Sequence, residues 1–78
     1  MQIADRIDVI LATLNAADVG SLDTIGAKMS QVEEELVAMQ ATELAESAAR
    51  AREALGRGDL VEFRRLRAFL QSRVGHLR

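Results

Sequence analysis

The sequence predicts an all-α fold: a three-helix antiparallel arrangement with a long central helix and coiled-coil-like packing, in a single domain over residues 1–78. Three observations carry this. The chain has no proline, and three of its five glycines fall between apolar patterns instead of inside them. Residues 22–55 are rich in Ala, Glu, Leu, Met and Gln, all good helix formers. Apolar residues recur there at Leu22, Ile25, Met29, Val32, Leu36 and Met39, a 3-4-3-4-3 spacing that places them on one helix face.

Helix 1 is expected over about residues 3–17. Ile3, Ile7, Ile10 and Leu14 form its stripe, and Val9 and Leu11 widen it. Asp18-Val19-Gly20-Ser21 interrupts the pattern, with Gly20 as a C-terminal stop and Ser21 or Asp23 as the next N-cap. So short a connection makes the next helix an antiparallel neighbour. Leu14 is then set opposite Ile25, Ile10 opposite Met29, Ile7 opposite Val32 and Ile3 opposite Leu36.

Helix 2 is expected over about residues 22–55, some 50 Å long at 1.5 Å per residue. Its second stripe, Leu44, Ala48, Ala51 and Leu55, is rotated by roughly 100° from the first. Flanking helices would therefore lie on different sides of helix 2 and leave much of it covered on one side only. A second-ranked reading breaks this helix at Gln40-Ala41-Thr42, with Thr42 as N-cap, and gives four shorter helices. Helix 3 is expected over about residues 60–76. It follows the Gly56-Arg57-Gly58-Asp59 turn, and Asp59 with Glu62 makes a capping-box-like start. Its stripe is Leu60, Phe63, Leu66, Leu70, Val74 and Leu77. The alanines of helix 2 leave room for these larger side chains.

Composition narrows the function. A chain this short has a thin core, and self-association or a partner is a common remedy. With no cysteine and one histidine, His76, neither disulfides nor a thiolate or imidazole metal cluster is available. Two Phe, no Tyr and no Trp make a poor catalytic pocket or base-stacking platform. No apolar run is long enough to span a membrane, and Asp5, Arg6 and Asp8 do not read as a signal peptide. The expected location is cytoplasmic or within a macromolecular assembly. Charge is divided: nine acidic against two basic residues over 1–46, and eight basic against three acidic over 47–78. Such a division suits complementary surfaces in an assembly or a nucleic-acid arm.

No motif carries catalysis. Arg57-Gly58-Asp59 spells the integrin-binding tripeptide but reads as an inter-helix turn. Gly56 and Gly58 make a G-x-G without a third glycine, since Val61 stands in its place. Glu33-Glu34-Glu35 reads as a solvated helix face, with an acidic docking patch as the alternative. The pairs Glu43 with Glu46 and Asp5 with Asp8 have helical spacing but no metal-ligating company. His76 suits the C-terminal end of the last helix, where a positive charge is favourable.

Two surfaces are candidates. Val61 and Phe69 fall off the main stripe of helix 3 and, with Val9, Leu11 and Val19, make a second apolar surface; the candidate interface is Val61, Phe69, Leu11 and Val9. Arg64, Arg65, Arg67 and Arg73 make a candidate basic surface, spread around the helix instead of forming one face. In size and pattern the chain resembles small helical secretion chaperones and small helical subunits of phage or bacterial assemblies. No residue motif carries that resemblance and no site follows from it. The expected function is a small non-enzymatic protein–protein interaction protein: an assembly subunit, adaptor or export-type chaperone. Its expected partner is itself or another protein, with no cofactor, metal, membrane or small-molecule substrate. A nucleic-acid-associated regulator using the arginine-rich third helix ranks second.

Overall fold

The computed structural model describes residues 3–17 and 20–77. They form four α-helices: α1 (Ile3–Asn15), α2 (Leu22–Ala38), α3 (Thr42–Gly56) and α4 (Leu60–Gly75). The expected 34-residue central helix is two helices, α2 and α3, and this corrects the three-helix count. The side chain of Ile3 and the whole of Asp18, Val19 and Arg78 lie outside the described residues.

The break has a local cause. Gln40 sits in the left-handed region at φ 61°. Its N–H donates to the Val37 carbonyl, and the Ala41 N–H donates to the Leu36 carbonyl, both at 2.9 Å. This is a Schellman ending, which satisfies carbonyls that the helix end would otherwise orphan. Ala41, not Thr42, is the N-cap of α3, and no side chain caps it. The α3–α4 turn repeats the device with the usual residue. Gly58, at φ 76°, donates to the Leu55 carbonyl, and the Asp59 N–H donates to Ala54.

The starts of α2 and α4 follow the sequence. Ser21 Oγ accepts from the Thr24 N–H at 3.2 Å, and Asp59 Oδ1 accepts from the Glu62 N–H at 3.1 Å. The capping box at Asp59 is half-formed, because the Glu62 side chain turns to Arg65.

The short turns fold each helix back on the one before. Arg6 Nη1 reaches Glu35 at 3.2 Å while Lys28 Nζ caps the Ala16 carbonyl at 2.9 Å, so α1 and α2 run in opposite directions. Arg52 Nη2 bonds Glu33 across α2 and α3 at 2.9 Å. Gln71 Nε2 donates to Asn15 Oδ1 at 2.9 Å and ties α4 to α1. Packing is therefore a closed ring, α1 on α2, α2 on α3, α3 on α4 and α4 on α1, with no close backbone approach across either diagonal among the described residues. The expectation that the flanking helices lie on different sides of a long central helix is corrected: α1 and α4 pack together, because the turn at 39–41 brings α3 and α4 back alongside.

The core lies on the axis of this ring. It takes Ile7, Ile10 and Leu14 from α1, Ile25, Met29, Val32 and Leu36 from α2, and Phe63, Leu66, Leu70 and Val74 from α4. From α3 it takes Ala45, Ala48, Ala51, Ala54 and Leu55. No polar side chain is buried among the described residues. Three expected stripe members, Leu22, Leu60 and Leu77, are exposed. Each sits within a residue or two of a helix terminus, where the ring no longer closes over it.

Candidate interaction surface

Consecutive residues on a helix point about 100° apart, and this disperses the charged runs. Glu33 turns toward α3 to meet Arg52, and Glu35 turns toward α1 to meet Arg6. Only Glu34, between them, is exposed on the outward side of α2. The acidic run is thus two clamps and one free-facing carboxylate.

The four arginines of α4 do four different things. Arg64 is exposed. Arg65 forks onto the Glu62 carboxylate, with Nε to Oε2 at 3.0 Å. That hydrogen bond holds the Glu62 carboxyl below its ordinary pKa and raises Arg65 above its own, in spite of the opposing desolvation. Arg67 is half-buried beside a hollow of about 190 Å³ between the start of α2, the end of α3 and the start of α4. Arg73 lies over the Phe69 ring, 5.3 Å from its centroid, a cation–π arrangement. Helix α4 nevertheless carries these four arginines against Glu62 alone, a net +3. Helix α2 carries Asp23 and Glu33 to Glu35 against Lys28, a net −3. The two helices occupy opposite corners of the ring.

The candidate apolar residues do not form one patch. Val61 is 78% exposed and stands about 180° from the line of Phe63, Leu66, Leu70 and Val74. Phe69 is 39% exposed and lines a groove between α3 and α4 with Leu44 and Ser47. Val9 is exposed on α1, whereas Leu11 packs partly against the core. Two further exposed residues, Leu22 and Val37 on α2, are each 59% exposed. Leu22 belongs to the stripe expected to be buried, and its place at the first residue of α2 leaves it uncovered. Val37 lies off the Ile25–Leu36 line, and that offset places it outside.

Among the described residues, no group of three His, Cys, Asp or Glu side chains is placed to hold a metal ion. No helix among them is long and apolar enough to cross a membrane. Comparison with family models, curated proteins and solved structures finds no match to this chain.

Proposed function

We propose that this chain is a small non-enzymatic protein–protein interaction protein, an assembly subunit, adaptor or export-type chaperone, that works by burying exposed apolar side chains against a partner. One observation carries the reading. Val61, Leu22 and Val37 remain largely exposed on helices whose other faces already fill the core. Covering a Val or Leu side chain fully is worth about 1.5–3 kcal/mol. A partner that covers two or three of them gains affinity and stabilises a thin bundle together. The closed ring removes one earlier argument for association, since no helix is left with half of its core face bare. The reading stands on the outward residues alone.

The net +3 of α4 supports the second reading, a nucleic-acid-associated regulator. It ranks below because Arg65 and Arg73 are engaged within the chain and Arg67 is half-buried, which leaves no continuous basic face.

The test is the native size of the protein in an extract of its own cells, before and after nuclease treatment. The interaction reading expects a nuclease-resistant complex well above the 8.5 kDa of one chain, and expects Val61→Glu to shrink it. Migration as a lone chain would overturn the reading, and dissolution of the complex by nuclease would promote the second one.

A further inference from the structure

We propose that the partner is a second copy of this chain, with the acidic α2 of one copy lying antiparallel along the outward side of α4 of the next. This rests on the interaction reading above and names its partner. Three observations converge. First, the charges on α2 and α4 are equal and opposite, −3 and +3, and the helices stand at opposite corners of the ring. Glu33 and Glu35 pair with Arg52 and Arg6, and Arg65 pairs with Glu62, which leaves Glu34 outward on α2 and Arg64 outward on α4, charges that do not meet within one copy and can meet a neighbour's. Second, both outward sides carry small side chains. Ala27 is exposed on α2, and Ala68 and Ser72 are exposed on α4, so two helices can approach closely. Third, one antiparallel register matches apolar and charged positions at once. With Val37 against Val61, Glu34 falls against Arg64, and Ala27 falls against Gln71, one residue from Ser72.

The contact joins two different surfaces, so it is heterologous. A copy that has docked its α2 still presents its α4, and the assembly grows beyond a dimer unless the rotation closes a ring.

Charge reversal on the full chain tests this, read by sedimentation with circular dichroism to confirm helix content. The wild type should show species larger than a dimer that increase with concentration. Glu34→Arg and Arg64→Glu should each weaken association about tenfold or more when alone, because each sets like charges face to face. Mixed in equal amounts they should restore it, since the reversed charges meet across the contact. Because the chain lacks cysteine, Ala27→Cys mixed with Ser72→Cys gives an independent readout: a disulfide between the two variants under mild oxidation. A purified wild type that stays monomeric, or association indifferent to Glu34→Arg, overturns the proposal. If the purified chain is monomeric but sits in a nuclease-resistant complex in its cells, the second-copy assignment fails and the interaction reading survives.

Discussion

Gln40 holds a position that helices usually give to glycine. A residue with a Cβ at φ 61° costs about 1–2 kcal/mol relative to an ordinary conformation. Gly58, at φ 76° in the equivalent position after α3, avoids that cost, and a Cβ there would meet nothing within 4 Å. The two sites therefore predict opposite effects. Gln40→Gly should stabilise the fold by about 0.5–1 kcal/mol, and Gly58→Ala should destabilise it by about 1 kcal/mol. Urea denaturation midpoints at unchanged m would measure both. This residue also explains why the break was hard to read. Gln is a good helix former, and nothing at Gln40-Ala41 resembles the Gly-x-Gly of the next turn. The phenylalanines were easier, because their positions on the stripe separate them. Phe63 is 4% exposed and Phe69 39%. Phe63→Ala should cost about 3–5 kcal/mol, and Phe69→Ala markedly less, because Phe69 leaves a surface groove instead of a core cavity. Thermal melts of the two variants would show the difference, and equal losses would mean that Phe69 is a core residue.

Helix α3 owes its place to small side chains. Ala45, Ala48, Ala51 and Ala54 are all buried against α2 and α4. The alternation of small α3 residues with Phe63, Leu66 and Leu70 was legible from the apolar spacing. Ala45 and Ala54 were not, because a stripe drawn at 3-4 spacing sees one contact line, whereas α3 packs on two neighbours and buries a wider arc. The phase slip of about 100° between the two stripes of residues 22–55 was the trace of the break. In one straight helix it leaves faces bare, and in two helices joined by a turn it lets both stripes point to one axis. The tightness of the alanine face gives a prediction at this scale. Ala51→Leu should destabilise the fold by about 1–3 kcal/mol even though it adds apolar surface, because there is no space for it. A gain in stability on chemical denaturation would show that α3 stands further from its neighbours than the burial of its alanines requires.

The ring of four helices has one core to which every helix contributes, so the molecule should unfold as a unit. How the first and last helices meet was the least legible part of the fold. The contact of α1 with α4 depends on a backbone reversal at one residue, and no local pattern in either helix announces it. The candidate surface was legible in part. Val61 stands where the spacing put it, but the spread of the arginines into separate pairings depends on neighbours that only the ring supplies. Whole-molecule stability then joins fold to function. For a domain of this size each kcal/mol shifts the melting temperature by about 4–8 °C. If a second copy binds the folded chain and not the unfolded one, the melting temperature must rise with protein concentration. Glu34→Arg touches an exposed position, so at high dilution it should melt with the wild type. At high concentration the wild type should melt several degrees higher while the variant stays where it was. Calorimetry at two concentrations separates the cases. A concentration-independent wild-type melt would mean that the bundle owes nothing to a second copy. A variant that melts lower even at high dilution would mean that Glu34 supports the fold itself instead of the contact.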